Sequence, residues 1–258
     1  VELYKEKFSL QDKVAIITGG SRGIGKAIAE GFAEMGAKVV LASRKAEALE
    51  EVRRGIQEKG GEAHVIPTHM GDLEGIERLV QGTLDKYGTI DILVNNAATN
   101  PVFCSTAEIE EAAWNKIMDV NVKGVFFLTQ KVGKVMCDKG SGSVINISSE
   151  AGFCPTPFLG VYSISKAAVN MLTKVFAQEW GPKGVRVNAI APGLVRTHFS
   201  QALWGNEAIL QTALASIPLG RIAEPEEMVG LAIYLASDAS SYVTGQVFLI
   251  DGGREVFA

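Results

Sequence analysis

Residues 14–25 read VAIITGGSRGIG, and this stretch decides the fold. Its first five residues, VAIIT, are apolar and largely β-branched, the composition of a strand buried on both faces. The strand runs into Thr18-Gly19-Gly20-Ser21-Arg22-Gly23-Ile24-Gly25, after which a helical period places Ile28, Ala29, Phe32 and Ala33 on an apolar face. Strand, glycine turn and helix in that order make the first crossover of a parallel α/β sheet. Glycines in such a turn let the main chain approach a pyrophosphate, and the helix N-terminus offers unpaired N–H groups and the positive end of its dipole. Gly19, Ser21, Arg22, Gly23, Ile24 and Gly25 are therefore candidate cofactor-binding residues. A glycine turn alone is a weak sign, and its weight here comes from the strand before it and the helix after it.

Working outward, six further apolar runs alternate with helix-length segments: KVVLA at 38–42, AHVI at 63–66, IDILVN at 90–95, SVINIS at 143–148, RVNAIA at 186–191 and QVFLI at 246–250. Short strands apolar on both faces and separated by helices predict a doubly wound, seven-stranded parallel α/β sheet with helices on both faces. Neither a linker nor a repeat interrupts the pattern, so residues 1–258 are expected to form a single dinucleotide-binding catalytic domain. Its ligand should sit beyond the carboxyl ends of the strands. Residues 193–224 break the rhythm with a helix-like stretch, about 198–216, that leads to no strand; this insertion is a candidate substrate loop.

The composition narrows the partners. The chain has 258 residues and a net charge of −4, with no basic footprint for nucleic acid. The longest uncharged run, residues 92–107, holds three Asn and a Pro and falls short of the roughly 18 apolar residues of a membrane span. No membrane partner is expected. The start, VELYKEKFSLQDK, lacks an apolar h-region, which predicts no secretory signal. Cys104, Cys137 and Cys154 lack metal or redox spacing and are read as free thiols in a reducing, cytoplasmic setting. His64, His69 and His198 are too scattered for a metal site.

The second strand ends in Leu41-Ala42-Ser43-Arg44-Lys45, where an enzyme reading the free ribose of NAD would offer a carboxylate. Arg44 and Lys45 instead suit a 2′-phosphate, with a hydroxyl from Ser43 and a further cation from Arg22, so the expected cofactor is NADP(H). Tyr162 and Lys166 are spaced i,i+4 at the start of a helical segment, which puts them on one face. An ammonium beside a phenol favours phenolate and should lower the tyrosine pKa toward the range of a general acid or base. Ser149, just past the strand SVINIS, can orient a carbonyl at the ligand edge, although serine there also serves as a turn cap.

Taken together these motifs resemble the short-chain dehydrogenase/reductase family over essentially the whole chain. TGGSRGIG at 18–25, NNAA at 95–98, Asn121 in NVKG, Ser149 in INISSEAG, YSISK at 162–166, APG at 191–193 and VTGQVFLIDGG at 243–253 arrive in that family's order. The resemblance implies that Tyr162 is the catalytic acid/base, that Lys166 lowers its pKa and holds the nicotinamide ribose, and that Ser149 polarises the carbonyl. It implies that Asn121 holds a water relaying protons through Lys166. Asn95 and Ala97 would line the adenosine side, and Pro192, Gly193 and Thr197 would hold the nicotinamide.

Two positions depart from that pattern. Ala98 replaces a usual glycine, and His69-Met70 stands where relatives place an Asp that meets the adenine amino group, Asp72 coming too late in the chain for the task. NPVF at 100–103 and THFSQALW at 197–204 are similar to the NADPH-dependent carbonyl and retinal reductase branch, but the chain ends EVFA without that branch's peroxisomal tripeptide. The expected reaction is hydride transfer between nicotinamide and a carbonyl or secondary alcohol. Phe103, Phe153, Phe158, Leu159, Leu194, Phe199, Leu203 and Trp204 favour bulky hydrophobic ketones or dicarbonyls as the small-molecule substrate. A 3-oxoacyl thioester reductase would share the same residues. A nucleotide sensor without catalysis would not need Ser149, Tyr162 and Lys166 together. The wide apolar arc of residues 162–180 and the family resemblance predict a homotetramer.

Overall fold

A computed structural model describes residues 2–254; the terminal EVFA, and with it the reading of a missing tripeptide address, lies outside them. Every expected strand forms: β1 (Val14–Thr18), β2 (Lys38–Ala42), β3 (Glu62–Val65), β4 (Ile92–Asn95), β5 (Gly142–Ile147), β6 (Val185–Pro192) and β7 (Val247–Ile250). They pair in parallel as one seven-stranded sheet in the order β3-β2-β1-β4-β5-β6-β7. The chain moves outward from β1 in one direction and then restarts at β4 on its other side. That reversal opens a crevice beyond the carboxyl ends of β1 and β4.

The helices are α1 (Glu2–Lys7), α2 (Gly23–Glu34), α3 (Ala46–Glu58), α4 (Leu73–Tyr87), α5 (Glu111–Met118), α6 (Gly124–Lys139), α7 (Gly160–Trp180), α8 (Gln201–Trp204), α9 (Glu207–Leu214) and α10 (Val229–Ala236). The period-2 alternation of each strand sorts the core into two layers. Ala15 and Ile17 of β1 join Val39 and Leu41 of β2 against Phe32 of α2, Leu49 of α3 and Leu235 of α10. Ile16 and Val40 face the other way, onto Leu79 of α4, Val132 of α6 and Phe176 of α7. Strands sandwiched like this have no solvent face, which is why they read as unbroken apolar runs.

Two close approaches depend on glycine. A Cβ at Gly25 would lie 2.4 Å from the Asn96 amide nitrogen and 2.5 Å from the Gly19 carbonyl oxygen, so α2 reaches the turn above β1 only without a side chain there. At Gly124, the first residue of α6, a Cβ would lie 1.9 Å from the Met70 carbonyl oxygen. A main-chain carbonyl cannot swing aside as a side-chain tip can.

The insertion at 193–224 differs from the single helix expected across 198–216. Gly205 and Asn206 divide it into α8 and α9, because the Asn206 side chain accepts hydrogen bonds from the N–H groups of Ala208 (3.0 Å) and Ile209 (3.3 Å) and so starts a new helix. A bridge between Val195 and Ala223 closes the insertion at its base.

Candidate active site

A cavity of about 1230 Å³ lies in the crevice, with Gly19 and Ala97 on its floor and Pro192 and Gly193 at its far end. One half is built from the β1–α2 turn, where Ser21, Arg22, Gly23 and Ile24 face the space. Arg22 precedes α2 with extended backbone and no side-chain cap, and the first turn holds no acidic residue, so the helix's leading N–H groups remain available. Gly23 adopts φ 54, the left-handed region that glycine enters without cost. Beside the turn, Ser43, Arg44 and Lys45 line the same half, and the buried Ser43 hydroxyl has no hydrogen-bond partner within the protein. Buried polar atoms are nearly always satisfied, so this hydroxyl fits an incoming acceptor group such as a phosphate. A dinucleotide phosphate therefore suits the residues present.

Three of the expected site residues do not line the cavity. Asn95 is the last residue of β4 and points into the core, where its amide donates to Thr129 Oγ1 (2.8 Å) and Asn146 Oδ1 (2.9 Å). Its neighbour Asn96 takes the cavity position and donates to the carbonyls of Thr18 (2.9 Å) and Gly19 (3.3 Å). Gly25 sits behind the turn. Asn121 is buried in a π-helical turn spanning Asp119–Lys123, and its side chain is engaged with both main-chain groups of Thr99 and with Ser165 Oγ. The adenine side contains His69, whose Nδ1 accepts the Gly71 N–H at 3.0 Å. Asp72 instead caps α4, its carboxylate accepting from the Glu74 N–H at 3.0 Å.

The other half of the cavity gathers Ser149, Tyr162, Lys166 and Thr197. Ser149 Oγ accepts the Ala151 N–H at 3.2 Å, so it does act as a turn cap, and it lies close enough to the Tyr162 phenol to favour its charged form. Lys166 Nζ donates to the Ile147 carbonyl at 2.7 Å and stands 5.6 Å from the Tyr162 ring centre. Phe199 covers that ring at 5.6 Å between centroids. Below them, Ser148 Oγ donates to Asn170 Oδ1 at 2.5 Å while the Asn170 amide donates to the Gly152 carbonyl at 3.2 Å, fastening the end of β5 to α7.

The expected electrostatic coupling takes a different form. Burial, first, and the nearby Glu150 carboxylate push the Tyr162 phenol up to about 12, with the Ser149 hydroxyl pulling the other way. Burial alone pulls the Lys166 ammonium down to about 8. Lys166 directs its charge at the Ile147 carbonyl, and the loss of solvent outweighs its attraction for a phenolate. The phenol is thus held protonated at neutral pH.

Some of the wall escapes sequence reasoning. Lys116 and Arg254 are both cavity residues, and Arg254 comes from the chain end after the Asp-Gly-Gly turn. Nothing in its spacing ties it to Ser149. Conversely, Phe153 and Trp204 do not line the space: Trp204 donates its indole N–H to the Thr197 carbonyl at 3.0 Å and packs within the insertion.

A parallel sheet with a phosphate-binding crevice and a Ser, Tyr and Lys set at its strand ends defines a dinucleotide-dependent oxidoreductase site. The family described as enoyl-(acyl carrier protein) reductase matches residues 19–255. Dehydrogenase/reductase SDR family member 4 of Oryctolagus cuniculus is 41% identical over 95% of this chain and 94% of its own. The 3-oxoacyl-[acyl-carrier-protein] reductase FabG of Thermotoga maritima is 40% identical over 95% of this chain and 98% of its own. Among solved structures, a gluconate 5-dehydrogenase from Burkholderia cenocepacia J2315, in complex with NADP and tartrate, superposes with a TM-score of 0.94 at 34% identity, covering 98% of this chain and 99% of that one. The chain belongs to the short-chain dehydrogenase/reductase family.

Burying Lys166 sets stability against chemistry. Its folded pKa of about 8 lies below the 10.5 of the free side chain, so the unfolded chain binds more protons between those values and stability rises with pH across that window. At neutral pH the buried charge costs about 3 kcal/mol. Lys166→Met removes that cost but leaves the Ile147 carbonyl unpaired, at about 1 to 2 kcal/mol. The variant should be more stable than the parent by about 1 kcal/mol at neutral pH and lose that advantage above about pH 10. Urea unfolding at both pH values checks this, and a variant less stable at neutral pH contradicts it.

Proposed function

We propose that the protein is an NADP(H)-dependent oxidoreductase that moves a hydride between nicotinamide C4 and a carbonyl carbon, acting on bulky hydrophobic ketones and α-dicarbonyls. The observation that carries this reading is the meeting, in one cavity, of a phosphate cradle at Gly23 and Ser43 with Ser149, Tyr162 and Lys166 at the opposite end. Arg44 and Lys45 receive the 2′-phosphate, and the NADP bound to the Burkholderia relative supports that choice. The cofactor, when bound, supplies or accepts the hydride.

The chain's own groups handle the proton and the geometry. Tyr162, protonated because its phenol titrates near 12, donates its hydroxyl proton to the carbonyl oxygen during reduction. Ser149 Oγ keeps a lone pair on the Ala151 N–H and turns its own hydrogen to the same oxygen. Lys166 stands behind the ring and stabilises the negative charge left on the phenol oxygen. Asn121 holds the Thr99 loop to α7 through its side chain. Pro192, Gly193 and Thr197 flank the nicotinamide.

The substrate end is apolar. Phe103, Phe158, Leu194, Phe199 and Leu203 face it, and the Phe103 and Phe158 rings lie 5.4 Å apart. Covering apolar surface contributes about 25 cal/mol per Å², which favours a large ketone over a small polar one. The insertion 193–224 serves as the substrate loop, and we place the chain in the carbonyl and retinal reductase branch on its NPVF and THFSQALW segments. A 3-oxoacyl thioester substrate is a second reading, favoured by the identity to the Thermotoga protein.

No described helix is long and apolar enough to cross a membrane, and the three cysteines are free, which suits a cytoplasmic protein. Ile164, Met171 and Val175 expose an apolar face along α7, and Leu249 does so on β7. These surfaces support a homotetramer.

Tyr162→Phe keeps the ring and removes the proton, so turnover should fall by about 10²- to 10⁴-fold while NADPH still binds; retention of a tenth of the activity in chemistry-limited conditions would count against the acid role. Arg44→Asp should reverse the preference for NADPH over NADH, because charge-assisted bonds worth about 1.5 to 3 kcal/mol are replaced by repulsion. Wild-type kcat/KM equal with both cofactors would refute the assignment of Ser43, Arg44 and Lys45. Light scattering at micromolar concentration should give four chains' mass, and a monomer would rule the assembly out.

A further inference from the structure

Glu150 follows Ser149 directly, yet its residue is only 8% exposed and nothing in the proton transfer uses it. A carboxylate at such a place is costly unless it is paired, and an apolar residue would satisfy the packing without that cost. Its Oε1 accepts from Arg254 Nη1, 104 residues further along the chain. A Cβ at Gly193 would lie 3.0 Å from Glu150 Oε2, so the carboxylate also closes against the end of β6. The pair joins the ends of two central strands to the end of the described chain.

Its position is a partition. Glu150 and Arg254 both face the large cavity, and both also line a second cavity of about 500 Å³ on their other side, with Cys154, Pro155, Ile217 and Pro218. Thr156 and Pro157 border both spaces as well. A guanidinium on the cavity wall would ordinarily recruit a carboxylate, since its planar donors match that group bidentately. Here Glu150 already supplies the carboxylate.

We propose that the Glu150–Arg254 ion pair is the charge selector of the substrate site: by occupying the guanidinium internally, Glu150 admits neutral ketones and rejects ketones that carry a carboxylate. This rests on the ketone-reductase reading and adds a specificity-determining pair to it. The negative influence of Glu150 on the Tyr162 phenol agrees with a site that disfavours a second anion.

The test compares two ketones of the same skeleton, methyl 4-acetylbenzoate and 4-acetylbenzoate, reduced with NADPH in mildly alkaline buffer. Wild type should favour the ester in kcat/KM by about tenfold or more, the scale of one charge-assisted bond. Glu150→Gln should narrow that ratio about tenfold, chiefly through a lower KM for the carboxylate, because Arg254 is released to it. The double variant E150Q/R254L should lose the gain. Should E150Q not fold, Arg254→Leu alone serves: it removes the guanidinium charge from beside the buried carboxylate, and the ester preference should widen by about threefold. A structural defect lowers both ketones together and leaves the ratio where it was. An unchanged ratio in E150Q, a gain that survives in the double variant, a narrowed or unchanged ratio in R254L, or a wild type that prefers the carboxylate overturns the selector while leaving the reductase reading intact. Failure of wild type to reduce either ketone overturns the reductase reading itself.

Discussion

The cavity exists because Thr18 ties together two turns that the sheet topology drives apart. Connections leave β1 and β4 toward opposite faces, and the gap between them is where ligand enters. Thr18 Oγ1 accepts the N–H groups of Asn96 (3.0 Å) and Ala97 (3.1 Å) and donates to the Val94 carbonyl at 3.3 Å. The Asn96 amide returns the bond to the Thr18 carbonyl, and Gly25 leaves room for it. One hydroxyl, on a residue only 1% exposed, therefore fixes the width of the crevice and the approach of the phosphate turn. A valine of similar shape would leave two N–H groups without an acceptor in the protein.

A second polar system fixes the other end of the site. Asn95 bonds Asn146 across the β4–β5 pair, and Asn146 donates to Thr173 Oγ1 of α7 at 2.9 Å. Ser148 and Asn170 repeat the link one turn nearer the cavity. These buried groups sit in a layer where neighbouring positions are Leu, Val and Phe, so each must find its partner for α7 to seat correctly. Apolar packing alone would tolerate small slips of the helix. A directed hydrogen bond does not, and Tyr162 and Lys166 ride on that helix.

The same contrast explains what the sequence disclosed. Strands buried on both faces announce themselves as apolar runs, and the Gly-rich turn has few structural uses, so the sheet, its order of elements and the phosphate cradle were legible. Ser149 was singled out by its place just past β5, Tyr162 and Lys166 by their i,i+4 spacing, and the family resemblance joined the three into one site. Asn95 misled because adjacent residues of a strand point to opposite faces, and the motif NNAA does not say which Asn faces out. Arg254 was hidden for another reason: its partner lies far away in sequence, and only the packing of β7 beside β6 brings the chain end to Glu150. The break at Gly205–Asn206 was readable as a capping signal but was masked by the helical period on either side of it.

Three costly features fall along one short stretch of the chain. Glu150 buries a carboxylate, Lys166 buries an ammonium, and between them Phe158 holds φ 64, a backbone conformation costing a bulky residue about 1 to 3 kcal/mol. Phe158 thereby turns its ring toward Phe103 at the cavity wall instead of into the core. β1 shows no comparable cost: it is buried from Val14 to Thr18 and the Thr18 hydroxyl at its polar end is paired. The well-packed sheet supplies the stability that lets residues 149–166 hold charge and strain, since a less rigid support would relax them toward solvent. Residues 149–166 thus bring charge and strain to one part of the cavity wall, and the rest of the fold holds them in place.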